Sequence, residues 1–152
     1  MKYIDTSAFV KYYGNPKFEK GVLQMSDLFE NAKSGKEILI TSIFTIGEII
    51  SVFDRWVRIK AITNEDFIKI LIRLVSDLEE LINLKSLVVD GINSEMVSHS
   101  FEYIPKYHIS INDSLHLYTA LSNKNIKEFF SSDENLNKAA TNEGLDVINP
   151  DH

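Results

Sequence analysis

Lys2-Tyr3-Ile4-Asp5-Thr6-Ser7-Ala8 is the stretch that decides how the chain is read. Tyr3 and Ile4 favour extended backbone, so Lys2–Asp5 is predicted as a short strand ending on an acid. Thr6 or Ser7 then starts a helix, and Gly14-Asn15-Pro16 stops it. A strand running straight into a helix is the first unit of a layered α/β fold.

Outward from that stretch the same alternation recurs. Phe18 to Lys33 carries Val22, Met25, Phe29 and Ala32 at helical spacing, with Gly35 closing it. Glu37–Thr41 is a second strand and Ile43–Lys60 a helix. Thr63-Asn64-Glu65-Asp66 resembles a capping box. It opens a packing helix with Phe67, Leu71, Leu74, Leu78 and Leu81 on one side and Lys69, Arg73, Asp77 and Glu80 on the other. Leu87–Val89 is a β-branched run turning at Asp90-Gly91, and Asn93 begins a helix that lasts until Ile104-Pro105. Asn112-Asp113 opens another helix, Phe129-Phe130 is a fourth strand, Glu134–Asn142 a helix stopped by Gly144, and Leu145–Ile148 a fifth strand. With no repeat or linker, one α/β domain over residues 1–152 is expected, built on a mostly parallel sheet of about five strands.

Composition sets the outer limits. At 152 residues and 44% hydrophobic, the chain has material for one sizeable core. Sixteen Lys and Arg against twenty-two Asp and Glu leave a net charge of −6. Bulk polyanion binding needs clustered cations, so any work on nucleic acid must rely on a local basic patch or on bound metal. The absence of cysteine removes disulfides, thiolate catalysis and zinc–cysteine sites together. The longest apolar stretch, Ile38 to Ile50, is interrupted by Glu48 and is too short to span a bilayer. No apolar leader precedes Asp5, so the expected location is the cytoplasm, with no membrane partner.

In open parallel sheets function gathers beyond the carboxyl ends of the strands. Asp5 ends the first strand, Glu48 lies in the helix after the second, Asp90 ends the third, Asp113 starts a helix and Asp133 follows the fourth. Asp5, Asp113 and Asp133 each also suit a plain helix N-cap. Glu48, Ser51, Arg55 and Arg58 form one polar stripe at i, i+3, i+7 and i+10, which also suits a face turned to water. An ion pair at i,i+4 accounts for Asp54 and Arg58 without any substrate.

Together these pieces resemble a known family. Tyr3-Ile4-Asp5-Thr6-Ser7-Ala8 is similar to the opening of PIN-domain ribonucleases, in particular the small VapC-type toxins. Gly47-Glu48-Ile49 resembles the family's helix-borne glutamate. Ile111-Asn112-Asp113-Ser114-Leu115-His116-Leu117 with Ala120 resembles its third acid and the helix behind it. Ser131-Ser132-Asp133, followed by Gly144-Leu145-Asp146-Val147-Ile148-Asn149-Pro150, resembles its fourth acid and closing strand. Ser114 stands where a small Ala is common, and no acid is missing. The resemblance implies a PIN-like three-layer α/β/α domain.

Four carboxylates brought together must protonate, splay apart or bind cations, since two charges ~4 Å apart repel by about 4 kcal/mol at an effective dielectric of 20. Without Cys or paired-His spacing, an all-oxygen site suits Mg²⁺ or Mn²⁺ rather than zinc. The resemblance implies hydrolysis of RNA by a metal-dependent endoribonuclease, with Asp5 the central ligand and Glu48, Asp113 and Asp133 completing the catalytic and metal set. Thr6 and Ser131 carry hydroxyls suited to holding those carboxylates, or to plain helix-end hydrogen bonding. Arg55, about 10 Å along the helix from Glu48, is a candidate for an RNA phosphate, and Lys11 a weaker one. His116 falls three residues after Asp113 on the same helix and could line the site, although a packing role is the expectation. The resemblance further implies an RNA substrate, a VapB-like antitoxin and a homodimer. Two rivals remain: a receiver-like phosphoacceptor module using Asp90, and an inactive PIN-fold scaffold. Against the receiver, the first strand ends in one acid rather than a pair, and no lysine follows the last strand.

Overall fold

β1 (Lys2–Ile4) lies at the centre of the sheet, hydrogen-bonded on one side to β2 (Leu39–Ser42) and on the other to β4 (Glu128–Phe130), both parallel to it. The computed structural model describes residues 1–14 and 19–152. β3 (Leu87–Asp90) pairs with the outer edge of β2 and β5 (Asp146–Ile148) with that of β4, giving the order β3-β2-β1-β4-β5 with every pair parallel. The expected five strands are present.

Between the strands run eight helices among the described residues: α1 (Thr6–Phe9), α2 (Val22–Lys33), α3 (Ile43–Arg58), α4 (Asn64–Asn83), α5 (Ser94–Ser100), α6 (Tyr103–Tyr107), α7 (Ile111–Ser122) and α8 (Glu134–Asn142). Val10–Tyr13 extends α1 as a tighter 3₁₀ turn. Successive side chains on a strand point to opposite faces, and the core divides accordingly. Ile4, Leu39 and Phe130 pack with Met25, Phe29, Phe53, Leu74 and Leu81 on the α2–α4 side. Tyr3, Ile40 and Phe129 pack with Tyr103, Leu117, Leu136 and Ala140 on the other. The result is the three-layer α/β/α arrangement. No helix among the described residues is long and apolar enough to cross a membrane.

Several local expectations need correction. α2 begins at Val22 after Gly21 in a left-handed conformation (φ 78°); Asn15, Pro16 and Phe18, used to place the neighbouring ends, lie outside the described residues. The helix expected from Asn93 to Pro105 is two short ones, α5 and α6. Pro105 sits inside the first turn of α6, where a missing N–H breaks no helical bond. α7 starts one residue early because Ser110, not Asn112 or Asp113, caps it. On α4, Asp77 does not face water. It is 7% exposed, with Lys33 Nζ 2.9 Å away and Arg73 at the mouth.

Candidate active site

The chain leaves β1 toward β2 and β3, then returns to β4 on β1's other side, so the order reverses between β1 and β4. Ligand sites of open α/β sheets form at such a point, where loops diverge and leave a crevice. Ile4 pairs with Phe130 at the ends of these two strands.

Asp5 follows at once in extended backbone and caps α1, its carboxylate accepting from Ala8 N at 2.8 Å. Ser7 Oγ lies 2.8 and 2.9 Å from the two carboxylate oxygens. Only 3% of Asp5 is exposed. Burial pushes its carboxyl above the usual aspartate range, against the opposite pull of His116, Ser131, Ala8 and Ser7. Ser7 Oγ also accepts from Ser132 N at 2.8 Å, tying the turn after β1 to the turn after β4.

Glu48 reaches the site from α3. Ser42 ends β2 and caps this helix by accepting from Thr45 N at 3.2 Å, so no loop separates strand from helix. Glu48 Oε1 accepts from Asn112 Nδ2 at 2.9 Å, and Oε2 accepts from Thr6 Oγ1 and lies 2.8 Å from His116 Nε2. Burial pulls this carboxyl upward, but the hydrogen bond and charge of His116, with Thr6 and Asn112, outweigh it. Glu48 therefore sits below the usual glutamate range.

The other two acids serve as helix-start residues as well. Asp113 is the third residue of a capping box: Asp113 N donates to Ser110 Oγ at 3.2 Å, and Ser110 Oγ donates to Asp113 Oδ2 at 2.7 Å. Asp133 Oδ1 accepts from Asn135 N and Leu136 N, each at 2.8 Å. N-capping and function are thus not exclusive for these acids.

Asp5, Glu48, Asp113 and Asp133 all line one cavity of about 350 Å³, with Thr6, Ser7, Lys11, Arg55, His116 and Ser132 in its wall. A second, larger cleft of about 970 Å³ adjoins it and shares Thr6, Glu48, Val52 and Arg55. Ser51 and Arg58 of the predicted stripe line that cleft, and Arg58 pairs with Asp54 at 2.9 Å. Lys11 is tied to Asp151 at 2.7 Å, so its cation already has a carboxylate partner. Asp90 lies at the end of the sheet's edge strand and is absent from the wall of the acid cavity.

The predicted supporting hydroxyls divide. Thr6 holds Glu48. Ser131 Oγ accepts from the backbone N–H of Asp133 at 3.0 Å, and its hydroxyl is also among the groups that pull the Asp5 carboxyl downward. Ser7, not among the expected supporting hydroxyls, also donates to Asp5, beside the backbone N–H of Ala8. His116 is buried against Tyr3 and Phe44 as packing requires, and it also lines the acid cavity with polar partners at both ring nitrogens. Asn112 and His116 stand i,i+4 on one helix face, and that polar pair beside an acid was the available signal.

A divalent cation suits the donor chemistry: four carboxylates, no thiolate, and a buried Asp5 whose charge is poorly compensated. Ser132 Oγ is buried without a hydrogen-bond partner and lies in the same wall. Among the described residues no three His, Asp or Glu side chains are gathered into a ready ligand set. Each acid is instead held by its own hydrogen bonds, as mutual repulsion of like charges favours.

Comparison with known proteins fits this geometry. The family model of the PIN domain matches residues 2–142. Among curated proteins no sequence match was found. The crystal structure of FitAcB from Neisseria gonorrhoeae is similar, with a TM-score of 0.66 at 17% identity over 100% of this chain and 99% of that one. The sarcin-ricin loop cleaving toxin VapC20 of Mycobacterium tuberculosis matches with a TM-score of 0.61 and 14% identity, covering 95% of this chain and 96% of that one. VapBC2 from Rickettsia felis, solved bound to a DNA fragment from its promoter, matches with a TM-score of 0.53 and 14% identity over 98% of each chain.

Proposed function

We infer that this chain, which belongs to the PIN-domain family, is a single-domain endoribonuclease that uses Mg²⁺ or Mn²⁺ and is the toxin of a VapBC-type pair. The observation carrying this is that Asp5, Glu48, Asp113 and Asp133, from four separate segments of sequence, line one cavity at the point where the strand order reverses. Helix capping alone explains three of these acids singly, but not their common cavity.

In this reading Asp5, Glu48, Asp113 and Asp133 would hold the cation. When bound, it supplies an activated water and stabilises charge on the phosphate oxygens. Ser7 and Ala8 hold Asp5 in one orientation; Thr6, Asn112 and His116 do the same for Glu48. Arg55 lines both the acid cavity and the larger cleft, which suits a phosphate of the substrate strand running between them. Lys11, held by Asp151, is a lesser phosphate contact. The similarity to VapBC2 and FitAcB supports a small VapB-like antitoxin as partner, and we extend the proposal to a homodimer acting in the cytoplasm.

Incubation of the purified chain with RNA, with Mg²⁺, with Mn²⁺ and with excess chelator, tests this. Cleavage with either ion and none with chelator is expected. Cleavage that persists in chelator, or none under any condition, would contradict it.

A further inference from the structure

His116 has more in its surroundings than packing requires. It is 3% exposed on α7, yet both ring nitrogens have polar partners: Nε2 lies 2.8 Å from Glu48 Oε2, and Nδ1 lies 2.9 Å from the Tyr3 hydroxyl. An ionised carboxylate only accepts hydrogen bonds, so Nε2 carries the proton that faces it. The Tyr3 hydroxyl donates to a bare Nδ1 or accepts from a protonated one, so it satisfies the ring in either state.

Tyr3 is itself immobilised. It is fully buried and stacked on Phe129 with ring centroids 5.3 Å apart and planes 2° from parallel. It also precedes Asp5 by two residues of extended backbone, which points both side chains to one side of the sheet. One strand end thus carries the central acid and the anchor of a second.

We infer that Tyr3 and His116 form a positioning pair for Glu48: the phenol fixes the plane of the imidazole, and the imidazole Nε2–H fixes the carboxylate in the acid cavity. Thr6 and Asn112 bind the same carboxylate, but Thr6 sits in the short α1 and Asn112 near the start of α7. His116 is the donor braced from the sheet itself. The role rests on the nuclease reading of Glu48; the contact does not. Groups that orient a metal-binding carboxylate typically change metal affinity or activity by about 10–100-fold when removed.

Four variants and three readouts test the pair. His116→Leu is expected to lower kcat by about 10–100-fold with little change in KM, and to weaken Mn²⁺ binding comparably. His116→Gln restores an N–H toward Glu48 and should recover most of both losses, whereas His116→Asn, too short to reach, should not. Tyr3→Phe keeps the stacked ring and should give an intermediate loss; it carries the test if His116→Leu fails to fold. Long-range proton–nitrogen NMR of the metal-free protein should find Nε2 of His116 protonated and its Nδ1 resonance moved by Tyr3→Phe. A folded His116→Leu protein with unchanged kcat and Mn²⁺ affinity, a Gln variant no better than Leu, or an unprotonated Nε2 would overturn the pairing. If the wild-type protein cleaves no RNA, the nuclease reading falls alone, and the NMR result still decides the pair.

Discussion

Ser7 Oγ accepts the backbone N–H of Ser132 at 2.8 Å while lying within hydrogen-bond distance of both Asp5 carboxylate oxygens. One hydroxyl therefore joins the turn that delivers Asp5 to the turn that delivers Asp133. Ser7→Ala leaves a buried carboxylate short of a donor and a backbone N–H without its partner. Loss of such a bond costs about 1–3 kcal/mol. A melting temperature lowered by roughly 2–4 °C per kcal/mol lost is expected with a larger fall in RNA cleavage; an unchanged melt would show that the two turns are joined without Ser7.

Asp5→Asn keeps the shape and the helix cap but deletes the anion. Burial raises the folded-state pKa of Asp5, so the native state holds this proton more tightly than the unfolded chain does. The stability it contributes is present below the ordinary aspartate range and is lost as pH rises through the raised value. The metal-free Asn variant escapes that loss. At neutral pH it should be at least as stable as wild type, with the gap closing in acid, and it should cleave nothing. Denaturant melts at both pH values check this; a variant clearly less stable at neutral pH contradicts it.

Asp133 separates a cap from a ligand. Asp133→Asn preserves an acceptor for Asn135 N and Leu136 N, whereas Asp133→Ala removes it. The Ala variant should lose about 1 kcal/mol of stability and the Asn variant little, while both lose cleavage. An active Asn variant would leave Asp133 as a cap only.

The strands and most helices were legible because their signals are local: alternation, helical spacing and Gly or Asn punctuation act within one turn. Asp5, Asp113 and Asp133 could be singled out as candidates because each follows a strand or starts a helix, and Glu48 because it lies inside the helix that follows β2. What sequence could not supply is which polar groups meet across the sheet. Ser7 meets Ser132 and Tyr3 meets His116 over separations of 125 and 113 residues. Asp77 was missed for the same reason: its partner Lys33 lies on another helix. Ser110, Asn112 and Asp113 put three good capping residues within four positions, so local chemistry alone did not fix where α7 begins.

Asp90 tests the phosphoacceptor alternative. It ends edge strand β3, away from the order reversal, and only burial raises its carboxyl. Asp90→Asn should leave RNA cleavage within a few-fold of wild type. Complete loss of activity, or uptake of phosphate by Asp90 from acetyl phosphate, would favour the alternative.

Calorimetric titration of Mn²⁺ into the wild-type protein and its Asp5→Asn variant asks most directly whether the four acids work as one site. An ion bound only by the folded state also raises the melting temperature, so the same samples carry their own control for folding. Saturable binding to the wild type, with binding abolished or severely weakened in Asp5→Asn, is the predicted result. Absence of binding to the wild type, or equal binding to both proteins, would contradict a shared metal site at Asp5, Glu48, Asp113 and Asp133.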